Sequence, residues 1–141
     1  MTDATITKTV TLAASRETVW AFLTDKDKLA EWFHPAEADL VEGEDYALTG
    51  TAEDGSPVRL CWGTVEEMEP PSRLVYTFTV APLGGVMTTV TWTLEEDAGG
   101  TRLTLVHEGL GAAAETAPDL LAALDAGWDK HLAALGRQVS G

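Results

Sequence analysis

The stretch that decides the fold is TAPDLLAALDAGWDKHLAALGRQV, residues 116–139. Thr116 is expected to cap a helix here, because Pro118 and Asp119 then occupy its first turn, where proline and a negative charge are favourable. Apolar side chains recur at steps of three and four, which indicates one apolar face of an amphipathic helix. These apolar residues are Leu121, Leu124, Trp128, Leu132 and Leu135.

Gly127 lies in the middle of this helix, directly before Trp128. A glycine at such a position costs about 1 kcal/mol relative to alanine, so we expect a packing reason for it. A missing side chain would let the helix backbone approach a sheet closely while the Trp128 indole projects onto that sheet. The alternative is that Trp128 simply fills the core.

Strand patterns precede the long helix along most of the chain. Ser15 is expected to begin a short helix and Asp25 a second one, while Asp54-Gly55 and Gly99-Gly100 predict hairpin turns. Residues 109–115 are expected to be a connection. The predicted strands are residues 5–12, 37–41, 45–52, 58–68, 74–80, 87–94 and 101–107.

The last strands alternate in a way that indicates one buried face. Val90 and Trp92 share a face, for example, whereas threonines occupy the other. Such a sheet needs a cover, and residues 116–139 are the long apolar helix available for it. The sequence therefore predicts an α+β fold, in which a curved antiparallel sheet wraps around a long C-terminal helix. The two short helices follow the first strand.

Composition limits the function classes. The 141 residues, with 45% hydrophobic and 23% charged side chains, are typical of one globular domain, which we place at 1–141. The net charge of −14 argues against nucleic-acid and anionic-membrane partners. Without a membrane-spanning apolar run or a signal pattern, the expected location is cytoplasmic. The single Cys61 excludes an intrachain disulfide.

Four stretches taken together resemble a known family. The chain is similar to the START-like (SRPBCC) superfamily, and within it to the family named for the C-terminal domain of the heat-shock-protein ATPase activator. The resemblance implies a helix-grip fold with a cavity between the sheet and the C-terminal helix, suited to a hydrophobic small molecule. It brings no catalytic signature. The stretches are SRETVW at 15–20 with Trp32, GTVEE at 63–67 with PPSRLV at 70–75, GGTRLTL at 99–105, and Gly127-Trp128 with Leu132 and Leu135.

Aromatic and histidine side chains on the predicted inward faces are the candidate ligand-binding residues. Large flat rings can line a hollow, although they can also interlock as a filled core. Two of the histidines could be polar anchors or an acid–base pair, since imidazole titrates near neutral pH, or ordinary histidines with one hydrogen bond. The candidates are Trp32, Phe33, Tyr76, Phe78, Trp92, His107, Trp128 and His131.

Other kinds of site have less support. His34 is expected either near the cavity mouth or as part of a helix cap. The histidines and Cys61 lack the short spacings of zinc ligands, and no nucleophile elbow or phosphate loop is present, so neither metal nor cofactor is expected. Cys61 is expected to be a small residue of the core or of a strand face. Arg59 would contact a ligand carboxylate if it faced inward, but an outward, surface position is favoured.

The leading hypothesis is a binding protein for a small hydrophobic or amphipathic molecule, in keeping with stress-related members of the family. Whether it is also an enzyme is left open. One alternative is a cofactor-free cyclase or hydrolase that uses the same cavity, with His107, His131 or Tyr76 carrying a proton. Another is a chaperone-interacting module, which the family name suggests. A homodimer is also considered.

Overall fold

One six-stranded antiparallel sheet and one long helix dominate the fold. The computed structural model describes residues 5–34, 36–80, 87–110 and 118–140. This order of elements confirms the α+β helix-grip architecture expected from the sequence. The elements are β1 (Ile6–Leu12), α1 (Arg16–Thr24), α2 (Lys26–Trp32), β2 (Asp45–Thr51), β3 (Pro57–Glu69), β4 (Arg73–Val80), β5 (Thr88–Asp97), β6 (Gly100–Glu108) and α3 (Pro118–Ser140).

The sheet has the strand order β1-β6-β5-β4-β3-β2, and all neighbouring strands are antiparallel. Strands β2 to β6 therefore form a meander, and β1 pairs with the far side of β6. Gly55 and Gly99 have φ angles of +87° and +86° at the two predicted hairpins. Glycine adopts this left-handed conformation without a steric penalty, which explains why the chain reverses there.

Burial alternates along β5 and β6 as predicted. Val90, Trp92 and Leu94 are buried, whereas the threonines between them are partly exposed. Leu103 and Leu105 continue the inner face on β6. One face of the sheet is thus apolar and is covered by other elements, as a half-solvated antiparallel sheet requires.

Side-chain caps set the starts of the two short helices. The Ser15 hydroxyl oxygen accepts a hydrogen bond from the Thr18 N–H at 3.2 Å. The Asp25 carboxylate accepts from the N–H groups of Asp27 and Lys28, so it begins α2 directly after α1 ends. These caps satisfy N–H groups that a helix leaves unpaired, and both predicted starts are confirmed.

The apolar face of α3 packs against the inner face of the sheet and against α2. Trp128, Leu132 and Leu135 are buried, and Leu124 is half-buried, which confirms the predicted stripe over this part of the helix. Thr116, the predicted cap, and the Leu121 side chain lie outside the described residues. None of the described helices is long and apolar enough to cross a membrane.

The predicted strand at residues 37–41 is wrong. Ala36 makes only an isolated bridge with Leu48, and the residues that follow it are irregular. The backbone N–H of Glu37 donates to the Ala47 carbonyl, whereas that of Leu40 donates to the carbonyl of Thr24 at the end of α1. Because these donors go to different elements, no ladder can form.

Irregular pairing in β3 decides which side chains face the core. Cys61 pairs with Leu48 and Arg59 with Thr49, so Leu60 is an extra residue in the strand. This bulge reverses the alternation. Cys61 is therefore buried at 4% exposure, while Arg59 is exposed and forms a two-point ion pair with Glu37 at 3.0 and 3.1 Å. The favoured outward position of Arg59 is confirmed.

Candidate functional site

A pocket of about 190 Å³ opens between the end of α2, strand β3 at Cys61, the end of β4 at Phe78, and one face of α3. The residues after α2 provide an aromatic ring and an imidazole, and the two strands provide a thiol and a second aromatic ring. Helix α3 provides aliphatic side chains, a glycine, an indole and an imidazole. The lining residues are Phe33, His34, Cys61, Phe78, Ala123, Leu124, Gly127, Trp128 and His131.

Gly127 contributes to this pocket by the absence of a side chain. A Cβ built on it would meet no heavy atom within 4 Å. The expectation that Gly127 allows a close approach of helix and sheet is therefore wrong: the glycine faces open space on the pocket wall. A close backbone approach does occur at Gly63, but between two strands: a Cβ on this β3 residue would overlap the Thr77 carbonyl oxygen of β4.

Behind the pocket the aromatic rings interlock. Trp92 is fully buried and meets Trp32 edge-to-face, with ring centroids 6.0 Å apart and planes at 86°. It meets Trp128 in the same manner at 5.6 Å and 81°, a geometry that aromatic rings prefer. The Trp92 indole N–H donates to the Tyr76 hydroxyl oxygen at 2.8 Å. Burial raises the pKa of Tyr76, so this phenol stays neutral.

His107 is fully buried and its two ring nitrogens are both hydrogen-bonded. Nδ1 accepts from the Trp128 indole N–H at 3.0 Å. Nε2 lies 2.7 Å from Thr88 Oγ1, and the Thr88 hydroxyl donates to the Phe78 carbonyl oxygen, so Nε2 carries the proton. Burial lowers the pKa of His107 to about 4. The ring is therefore a neutral link between α3 and the sheet.

Two imidazoles border the pocket itself. The rings of His34 and His131 meet edge-to-face at 5.2 Å, and Phe33 packs against both. His131 Nδ1 lies 3.3 Å from the Trp32 carbonyl oxygen. Since a carbonyl can only accept, Nδ1 donates, and Nε2 of the neutral ring remains an acceptor.

Burial lowers the pKa of both pocket histidines. For His34, repulsion from His131 when that ring is protonated, and from Lys130, lowers the pKa further. For His131 the hydrogen bond to Trp32 opposes the effect of burial in part, and Lys130 lowers the pKa again. Burial also raises the pKa of the Cys61 thiol to about 12, so the pocket sulfur is protonated and weakly nucleophilic.

The eight predicted ligand-binding residues divide into two groups. Phe33, Phe78, Trp128 and His131 border the pocket. The other four, Trp32, Tyr76, Trp92 and His107, are buried in the core behind it. His107 and His131 both contact the Trp128 ring, but no hydrogen bond joins them within the described part of the chain.

The sequence did not assign five of the lining residues to the site: His34, Cys61, Ala123, Leu124 and Gly127. His34 was considered at the cavity mouth, but its pairing with His131 joins residues 97 positions apart and has no local signal. The position of Cys61 follows from the bulge beside it. Among the described residues, no three His, Cys, Asp or Glu side chains are grouped as metal ligands would be.

The curved sheet around a terminal helix, with a pocket between them, defines the START-like (SRPBCC) class of helix-grip proteins. Residues 13–139 match the family described as "Activator of Hsp90 ATPase homolog 1-like protein", and the chain belongs to that family. No curated protein matches this chain.

Solved structures have the same fold. DynU16, from the dynemicin biosynthetic locus, is 28% identical with a TM-score of 0.77, and the alignment covers 96% of this chain. This chain spans only 47% of DynU16. CalU16 from Micromonospora echinospora is 25% identical with a TM-score of 0.73, over 99% of this chain and 85% of that one. The Aha1 dimer from Colwellia psychrerythraea is 19% identical, with a TM-score of 0.78 and coverage of 97% and 96%.

Proposed function

We propose that the protein binds a small hydrophobic or amphipathic molecule in the pocket between the sheet and α3. The observation that carries this proposal is the open space beside Gly127, in a pocket walled by Phe33, Phe78 and Trp128. Ligand sites are concave and mostly apolar, with a few polar groups that orient the ligand. His34 and His131 are those polar groups here.

Within this proposal the predicted site residues have different roles. Phe33, Phe78, Trp128 and His131 touch the ligand, and His34 joins them. The four residues behind the pocket keep these walls in place through ring packing and hydrogen bonds: Trp32, Tyr76, Trp92 and His107.

A variant that fills the pocket tests the proposal. Gly127→Leu places a side chain in the empty space, and native mass spectrometry of freshly purified protein would show any retained small molecule. Ala133→Leu is the matched control, because it adds the same side chain at an exposed position of α3. We expect the wild type and the control to retain a molecule that Gly127→Leu loses. Equal retention by all three would contradict the proposal.

A cofactor-free cyclase or hydrolase is the second candidate. It is favoured by the two imidazoles that meet at 5.2 Å on the pocket wall, because paired titratable groups can transfer protons to and from a bound substrate. In that case His34 and His131 carry the proton, in place of His107 or Tyr76. If the wild-type protein converts the bound molecule, and His34→Gln still binds it but no longer converts it, the enzyme is favoured. If the wild-type protein binds the molecule without converting it, a carrier is favoured.

The family name supports a chaperone-interacting role, but large exposed apolar residues among those described are few: Val41, Val58 and Met87. A relative with the same fold was solved as a dimer, which supports a homodimer. One domain spanning 1–141 and a cytoplasmic location complete the proposal.

A further inference from the structure

We infer that the pocket selects an uncharged, flat molecule of one or two rings, whose O–H or N–H group donates a hydrogen bond to His131 Nε2. This inference rests on the proposed function and narrows it to a class of ligand. Three separate properties of the pocket lead to it: its shape, its hydrogen-bonding groups and its charge.

The shape favours a flat and small ligand. Phe33 and Trp128 are tilted at 37° with centroids 5.4 Å apart, and Phe78 meets Trp128 at 5.8 Å and 44°. Aromatic walls at such angles can stack against one side of a ring and contact its edge on another. The volume of about 190 Å³ lies below the roughly 300–1,000 Å³ of pockets for drug-sized ligands, so one or two rings fit best.

The hydrogen-bonding groups favour a donor on the ligand. The single proton of neutral His131 is held on Nδ1 by the Trp32 carbonyl, which leaves Nε2 as an acceptor. His34, beside it, has no hydrogen bond to any described residue. A ligand O–H or N–H that reaches this corner therefore finds an acceptor already held in place by the backbone of α2.

The charge disfavours a carboxylate. Among the described side chains that line the pocket, none has a permanent charge. Lys130 lies on an exposed face of α3, and the net charge of −14 repels anions from the whole molecule. A carboxylate would have to recruit a proton onto His34 or His131, whose pKa values are already lowered. An uncharged donor needs no such proton.

Three probes of the same ring size test this inference: 2-naphthol, naphthalene and 2-naphthoate, titrated against the protein at about pH 7.5, where ordinary imidazole is neutral. Amide chemical shifts give each dissociation constant. We expect 2-naphthol to bind roughly threefold to tenfold more tightly than naphthalene, the effect of one neutral hydrogen bond, and 2-naphthoate to bind more weakly than 2-naphthol.

Variants assign the effect to one atom. His131→Leu should abolish the advantage of 2-naphthol over naphthalene while naphthalene still binds. His131→Gln, which keeps an acceptor oxygen, should restore part of that advantage. Nitrogen-15 shifts of the wild-type His131 ring provide a measurement without mutation, and they should report a proton on Nδ1 and none on Nε2.

The possible failures are distinguishable. Equal affinity for 2-naphthol and naphthalene, tightest binding of 2-naphthoate, or a proton on His131 Nε2 would overturn the inference and leave the proposed function standing. If none of the three probes binds, and Gly127→Leu retains as much material as the wild type, both the inference and the proposed function fail.

Discussion

Trp128 borders the pocket and also donates a hydrogen bond into the core. Its ring is in contact with Phe33, Phe78 and Trp92, and its indole N–H is bonded to His107 Nδ1. One residue thus connects the pocket wall to the buried link between α3 and the sheet. Changes at Trp128 are expected to affect both binding and stability.

Trp128→Phe should lower the free energy of unfolding by about 1–3 kcal/mol through the lost hydrogen bond. The smaller ring should lower it further. The phenyl ring cannot donate, so His107 Nδ1 would remain buried without a partner. Urea denaturation measures the loss. Trp62→Phe is the control, because Trp62 is half-buried and its indole has no hydrogen bond to a described residue. A loss no larger than in this control would contradict the assigned role.

At the scale of elements, two glycines have opposite surroundings. Gly127 in α3 faces open space, whereas Gly63 in β3 lies against the backbone of β4 at Thr77. The first shapes the pocket, and the second allows two strands to pair closely beside a bulge. An added methyl group should therefore have opposite consequences at these two positions.

Gly127→Ala should raise the free energy of unfolding by up to about 1 kcal/mol, because alanine is the better helix former and its methyl group meets nothing. Chemical denaturation of the ligand-free protein measures the change. Gly63→Ala should instead destabilise strongly, since its Cβ would overlap the Thr77 carbonyl oxygen. Destabilisation by Gly127→Ala would show that the space beside it is occupied.

At the scale of the whole molecule, burial lowers the pKa values of all three histidines. The folded protein therefore binds fewer protons than the unfolded chain when the pH falls below about 6.5. The resulting contribution to stability is complete above that pH and is lost as the pH falls toward the folded-state values. Mild acid should weaken the whole fold, with His107 as the largest contributor because its pKa is about 4.

Stability measured by urea denaturation should fall between about pH 6.5 and pH 4, with His107 contributing roughly 3 kcal/mol of the loss. His107→Gln should be less stable at neutral pH but should show a flatter slope, because the titrating group is gone. His34→Gln, at a half-buried position, should flatten the slope less. An unchanged slope in His107→Gln would mean that His107 is charged or exposed in the folded state.

Most of the fold follows from local patterns. The alternation of β5 and β6, the caps at Ser15 and Asp25 and the apolar stripe of α3 each depend on residues close in sequence, so they were predictable. The strand expected at 37–41 was not formed, because its backbone donors bind α1 and β2 separately. No local pattern contains that information.

The candidate site was predictable only in part. The amino-acid sequence alone determined that Phe78 and Trp128 lie on inward faces, because the periodicity of a strand and of a helix fixes which side chains share a face. It also proposed Phe33 and His131 as candidates beside them. The tertiary structure decided the rest. A bulge turns Cys61 inward and Arg59 outward, chain folding brings His34 to His131, and the missing side chain of Gly127 leaves space instead of contact. The physical reason is that a pocket is a gap between distant elements, and only packing determines where atoms are absent.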